Sequence, residues 1–329
     1  MSILDTAFHI GAESVYGTFL SLTRSYEAKS DPWKRKQSYL ESVGFRAGLQ
    51  AVRSDRRQAI NMGAEGSIEL DLMNIGMGLL LRDAFGLTTG PTLVSGTTRD
   101  TVFSTTKDGP STSFSAQMIR PFVDGSSQPF TYKGCVVTGW ELNAEAADGE
   151  NGFLRWKEDI DSQTEDTSVG AGTAVYPASQ VPFNWTMVST STVGGTPIDF
   201  KKLAVKADYK ANTDRRFLKT GGLRKQPRIG GVPEYTGELE AEFASLAEYT
   251  RFVTGAVVAG QWVWTGAQID SSPQTFFTAT LDIAALQYTG DAPAASLTEL
   301  PKQPLPFAIL DNGSLPAVKL TLRSSDAAL

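Results

Sequence analysis

The sequence predicts a mainly β protein built from two versions of one unit, each with one short α-helix. Three observations lead there. A stretch occurs twice, with Arg53, Arg57, Gly66 and Asn74 answered by Arg224, Arg228, Gly237 and Ser245 at one constant spacing of 171 residues. Val, Thr, Phe, Tyr and Trp are plentiful, while 31 Gly and 16 Pro interrupt the chain at short intervals, a pattern of strands and turns. Several segments also alternate apolar and polar residues with the period of two that a strand imposes.

In chain order, the first repeated strand sets Ser67, Glu69 and Asp71 on one face against Ile68, Leu70 and Leu72 on the other. A helix is expected over 75–85, with Asn74 as its N-cap and Gly86 as its stop, although Gly76 and Gly78 weaken it. Trp140, Leu142 and Ala144 oppose Glu141, Asn143 and Glu145; Leu203, Val205, Ala207 and Tyr209 oppose Lys206, Asp208 and Lys210. The second repeated strand sets Glu238, Glu240 and Glu242 against Leu239, Ala241 and Phe243. Its helix is expected over 246–254, capped by Ser245 and stopped by Gly255, with Leu246, Tyr249 and Val253 on one face. Phe277, Ala279, Leu281 and Ile283, and later Val318, Leu320 and Leu322, complete the alternating segments. Three stretches read as loops or arms: 87–113, rich in Thr, Ser and Gly; 158–182, acidic and then small and polar; and 290–306, with four prolines. Long loops in a compact β domain call for a reason, and contact with a neighbouring subunit is a common one. The turn at Gly194, Gly195 and Pro197 suits a division near residue 190, giving units at 1–190 and 191–329.

Composition narrows the function classes. With 41% hydrophobic and 20% charged residues over 329 positions, the chain can bury a substantial core. A net charge of −6 argues against general affinity for DNA or anionic membranes. Cys135 is the only cysteine, which excludes an intramolecular disulfide and a cysteine-cluster metal site; its strand-like surroundings suit a small core residue. His9 is the only histidine and has no acid–base partner nearby except Glu13, so triads, Cys–His pairs and most zinc sites are out of reach. No catalytic residue, metal or cofactor is expected. Carboxylate-only chemistry, as in glycosidases, stays open, but nothing singles out a pair. The first twenty residues lack a basic and an apolar leader region, and the apolar stretches fall far short of a membrane span, so folding in a cytoplasm is expected.

The charged residues offer two readings. An acidic strand face is ordinarily just solvated, but carboxylates at 69 and 240, and at 71 and 242, recur in both copies, and like charges two apart on a face repel mildly. Recurrence suggests that the sign matters. A ring of such strands forms a negative wall that repels phosphates. The basic run Lys34, Arg35 and Lys36 reads either as a phosphate contact or, more simply, as a solvated arm. Arg53, Arg57, Arg224 and Arg228 repeat in spacing, which favours intersubunit or loop–carboxylate ion pairs.

The sequence resembles the tail tube (major tail) proteins of long-tailed, non-contractile bacteriophages. The resemblance rests on Gly11 to Thr18, on Ala64 to Ile68 entering Gly76 to Gly86, and on Phe130 to Leu142 before Ala144 to Ala146, and it spans roughly residues 10–325. It implies a β-sandwich or barrel unit with a flanking helix, whose inner sheets close edge to edge into a continuous barrel around a lumen in the oligomer. Rings of such units stack head to tail into an open-ended tube. A doubled unit suggests trimeric, pseudo-sixfold rings, with hexameric rings of whole chains as the alternative. The partners implied are further copies of itself, the tape-measure protein, a tail terminator, distal tail or baseplate proteins, and genomic DNA passing without sticking. The resemblance makes Glu69, Asp71, Glu238, Glu240 and Glu242, with Glu141 and Glu145 beside them, the lumen candidates. It places the chain in the virion tail after assembly in the host cytoplasm. The rival readings are a carbohydrate-binding or adhesin β module on a virion surface, using its six Trp and nine Tyr as stacking platforms, and a carboxylate glycosidase.

Overall fold

A computed structural model describes residues 5–48, 50–218, 222–242, 246–290 and 302–329, the side chain of Lys302 excepted. It is mainly β, with two α-helices among the described residues. The first half runs β1 (Ala7–Ala12), β2 (Arg24–Tyr26), β3 (Lys34–Glu41), β4 (Arg57–Asp71), α1 (Gly78–Phe85), β5 (Gly86–Ser95), β6 (Thr98–Thr105), β7 (Phe114–Pro121), β8 (Ser127–Glu145), β9 (Arg155–Ser162) and β10 (Thr164–Asp166). The second runs β11 (Val188–Val193), β12 (Thr196–Pro197), β13 (Phe200–Asp208), β14 (Ala211–Asn212), β15 (Arg228–Ile229), β16 (Glu234–Glu242), α2 (Ala247–Thr254), β17 (Val257–Ser271), β18 (Gln274–Tyr288), β19 (Lys302–Ile309) and β20 (Val318–Ser324).

One antiparallel sheet runs through both halves in the order β3–β4–β9–β8–β13–β16–β19. A second set of strands, β11–β17–β18–β20–β6–β5, joins it through a short pairing of β18 with β19. The first half of β8 leaves the main sheet to pair with β7 and β10, and β7 carries β1. The alternation read from sequence holds throughout: Ile68, Leu70, Trp140, Leu142, Leu203, Val205, Leu239 and Ala241 face inward and are buried. On this inner side Phe85 of α1 stacks on Trp140 at 4.9 Å and Trp156 at 5.7 Å, and reaches Phe103 of β6. Tyr209 ties strand to helix, accepting from Trp140 Nε1 at 2.9 Å and donating to the Ala84 carbonyl at 2.5 Å.

The internal repeat is structural as well as sequential. β4 and β16 each sit between two strands of the main sheet, and β9 and β19 hold the same place beside them: Glu69 lies opposite Lys157, and its counterpart Glu240 opposite Pro304. Gly66 and Gly237, also counterparts, each leave room for an aromatic ring lying flat on the strand, that of Trp33 in the first case and Phe307 in the second. Outside the main sheet, β1 flanks β7 as β11 flanks β17.

Several local expectations are corrected. Both helix stops are as read, Gly86 and Gly255 standing at φ +90° and +63°. Asn74, however, caps no helix. Its side chain accepts from Val181 N at 2.8 Å, pinning the incoming 181 segment, and the helix starts only at Gly78. Ser245 lies outside the described residues. The apolar stripe of α2 is not covered: Leu246 and Val253 are exposed, whereas Leu79, Leu80, Leu81, Ala84 and Phe85 of α1 are buried. The stretch 87–113 is no loop but chiefly the β5–β6 hairpin, because its many Thr residues are β-branched and suit a strand. The acidic start of 158–182 belongs to β9 and β10, and the irregular part begins only at residue 167. Pro304 and Pro306 lie within β19. β18 reaches only Phe307–Ile309, so over 302–306 one side of β19 has no strand beside it among the described residues, where proline is tolerated. Pro293 and Pro301 lie outside the described residues.

Candidate functional site

The outward face of the main sheet gathers both acidic strands. Residues directly opposite in an antiparallel pair point to the same side. The registers therefore put Glu69 and Asp71 of β4, Arg155 and Lys157 of β9, Glu141 and Asn143 of β8, Lys202 and Lys206 of β13, and Glu238 and Glu240 of β16 on one face. Glu145 and Glu242 continue the β8 and β16 rows. All five lumen candidates are thus brought together, with Glu141 and Glu145 between them. A concavity of about 1020 Å³ opens on the same face toward Lys34, Glu65, Asp159, Lys206 and Glu234.

What the sequence did not reveal is the interleaving. The acidic strands β4, β8 and β16 are never neighbours; β9 and β13, each with paired basic residues, lie between them. Adjacent acidic strands would place like charges about 5 Å apart, which is destabilising, whereas opposite charges across strands attract. Several of these pairs form: Lys206 meets Glu141 at 3.1 Å, Arg155 approaches Glu69 at 3.8 Å, and Lys29 reaches Asp71 at 2.7 Å. At the β3 edge Lys34 and Lys36 both contact Glu65, which holds that carboxyl below the usual range. The face is striped, with the acidic rows in excess.

The four arginines separate. Arg224 is buried and pairs with the equally buried Asp161 at 2.8 Å; it also donates to the carbonyls of Ser162 and Thr213. Burial pushes the Asp161 carboxyl up to about 6, against the opposing pull of Arg224. Arg57 lies over the Tyr39 ring at 4.1 Å and pairs with Glu41 at 3.1 Å across the β3–β4 hairpin. Arg53 is solvent-facing and pairs only locally, with Asp55 at 2.6 Å. Arg228 is exposed on β15 opposite Asn212.

His9 is buried and bonded to Ser25 Oγ at 2.7 Å, its pKa lowered by that burial. Cys135 is buried in β8. Glu158 and Asp83 are buried carboxyls on the core side, both raised by desolvation; Glu158 accepts from Trp156 Nε1 at 2.7 Å and Asp83 from Arg82. One signal for Glu158 is legible in the chain, an acid in phase with Trp156 and Ile160 rather than with Lys157 and Asp159. Among the described residues no group of His, Cys, Asp and Glu could hold a metal ion. Of the six Trp, five are buried and only Trp185 is exposed, which removes most of the surface a sugar would stack on. Among the described residues no helix is long and apolar enough to cross a membrane.

Comparison with known proteins supplies the context for this face. A family model described as phage tail tube protein matches residues 4–309. Comparison with curated proteins returned no match.

Proposed function

The chain belongs to the phage tail tube protein family, and on that premise we propose that the striped outward face of the main sheet lines the bore of a tail tube. Membership makes it a structural component of the virion tail that assembles with copies of itself and meets other tail components. The finer reading is ours. Each chain contributes two tube units, 1–190 and 191–329, so three chains make a pseudo-sixfold ring, and rings stack around the tape-measure protein. A tail terminator and distal tail or baseplate proteins close the two ends, after assembly in the host cytoplasm. In this reading the inner sheets of successive chains join into one continuous barrel, and the subunit has no catalytic role.

One observation carries the proposal. Both acidic strands lie on the same open face of a single sheet, and on its opposite face Ile68, Leu70, Leu142, Leu203, Leu239 and Ala241 are buried in the core. Glu69, Asp71, Glu238, Glu240 and Glu242 then face the passing genome. Their excess over Arg155, Lys157, Lys202 and Lys206 keeps phosphates from binding, while the basic rows keep the wall itself from flying apart by self-repulsion. Arg53, paired only with its neighbour Asp55, and Arg228 are the exposed arginines left for contacts between subunits, whereas Arg224 is buried and Arg57 pairs with Glu41 across its hairpin. Electron microscopy of the purified protein tests the reading. Rings or tubes with a central hole are expected, with twice as many similar units around the hole as chains; solid, monodisperse particles at all concentrations would overturn it.

A further inference from the structure

The two repeats use their arms differently. Each unit extends the strand before its acidic strand into an outward hairpin: β3 with the start of β4 in the first, and β14 with β15 in the second. The second arm folds back onto the first unit. Its Arg224 enters a buried pocket at the end of β9, formed by Asp161, the Ser162 carbonyl and Gly63, and Gln163 Nε2 donates to its own carbonyl at 2.6 Å. The first arm has no such seat. Residues 34–57 carry seven Lys or Arg against two acids in a chain of net charge −6, and Tyr39, Leu40, Val43, Phe45 and Val52 stand exposed on it. Arg53 is the counterpart of Arg224 by the repeat spacing.

The repeat also says where the missing seat lies. β19 is the counterpart of β9, and the place of Asp161, opposite Glu65, is held by Ala308, opposite Thr236. The place of Gly63 is held by Glu234. At that spot the surface opens into a groove of about 930 Å³, with Val232, Pro233, Ile309 and Leu315 on its walls, Glu234 and Asp311 as its carboxylates and Lys107 as its cation. Val232 and Leu315 are exposed in the single chain. The apolar walls and the carboxylates of the groove, of which Glu234 pairs with Lys210 at 2.8 Å in the single chain, complement the apolar and basic arm. The arm cannot fill its own chain's groove: β3 and β19 are the two ends of a seven-strand sheet, roughly 29 Å apart at about 4.8 Å per strand.

We propose that the 34–57 arm of one copy seats in the Glu234–Asp311 groove of a second copy, with Arg53 taking there the position that Arg224 takes within the chain. The contact is head to tail, joining one end of the sheet to the opposite end of the next chain, so that a closed ring repeats at each chain boundary the arm-on-neighbour contact already made inside each chain. It rests on the self-assembly of the proposed function and adds the residues that make it.

The test uses two full-length variants, R53C and E234C, purified separately, mixed and treated with a short bismaleimide. The native Cys135 is buried, and each chain has only one of the two new thiols, so any mixed product joins two copies. A cross-linked dimer is expected in the mixture and not in either variant alone. In parallel, R53E should lose ring formation while keeping a wild-type circular dichroism spectrum, and R53E/E234R should regain it. If wild-type rings form but the mixture cross-links no more than the single variants, and R53E assembles normally, this inference is overturned and the tube reading stands. A wild-type chain that stays monomeric at every concentration overturns both.

Discussion

At the residue scale, identical chemistry has opposite consequences in the two repeats. Arg224 and Asp161 are a desolvated pair, so removing one partner leaves a buried charge without compensation. Arg224→Ala should cost about 3–5 kcal/mol in chemical denaturation. Arg53→Ala, by contrast, should leave the monomer's denaturation curve unchanged, because Arg53 and its partner Asp55 are both solvent-facing. Glu158 makes a pH prediction. Burial raises its carboxyl well above the ordinary value, so the folded state holds a proton that the unfolded chain releases. The sign follows: this contribution is full below the unfolded pKa and is lost as pH rises toward the folded one, at most about 1.4 kcal/mol per pH unit. Glu158→Gln keeps an acceptor for the Trp156 indole and should flatten that decline in thermal melts taken from pH 5 to pH 9. Sequence exposed the inward phase of residue 158 but not its depth, since a strand's alternation says which face a side chain takes and nothing about what covers it. The spacing of Arg53 and Arg224 was legible too, whereas their different fates depend on a pocket assembled from β4, β9 and the second arm, segments far apart in the chain.

Elements tell a similar story. Strand identity and phase were readable in β4, β8, β13, β16, β18 and β20, where one face is covered and a period of two survives, but not in β3, β5, β6 or β19. Both C-terminal helix ends were readable, whereas the start of α1 was not. A glycine at positive φ is a local necessity, while an N-cap competes with any backbone N–H nearby, and for Asn74 the 181 segment won. The Thr-rich hairpin was misread as a loop because turn-like composition and β-branched composition overlap in Thr and Ser. The repeated glycines of the acidic strands were visible as a pair in sequence, but their reason was not: each lies under an aromatic ring that a Cβ would overlap. Gly66→Ala and Gly237→Ala should each destabilise by about 1–3 kcal/mol through displacement of Trp33 or Phe307, measurable as a lower midpoint in urea. The effect should be smaller for glycine to alanine at Gly44 or Gly170, where there is open space.

For the whole molecule, the charge pattern of the proposed bore is the property with the clearest consequence. Replacing Glu69 and Glu240 together with Lys turns two of its acidic rows toward neutral or basic, flanked as they already are by Arg155, Lys157 and Lys202. Such particles should assemble yet eject DNA poorly, read as a loss of infectivity with normal tails in micrographs; normal infectivity would remove those residues from the bore. The uncovered stripe of α2 belongs to this scale as well. Its counterpart α1 is buried within the chain, and the exposure of Leu246 and Val253 marks a surface that the single chain leaves unfinished.

The sequence by itself determined the class of fold, the faces of its alternating strands and the helix stops, because all of these follow from side-chain period and glycine φ preference along one chain. The tertiary structure decided which strands are neighbours. That choice interleaves acidic rows with basic ones, buries Arg224 while leaving Arg53 at the surface, and sets the arm and the groove at opposite ends of one sheet. Such pairings join residues a hundred or more positions apart, and their energies depend on distance and desolvation in space, neither of which a local pattern encodes.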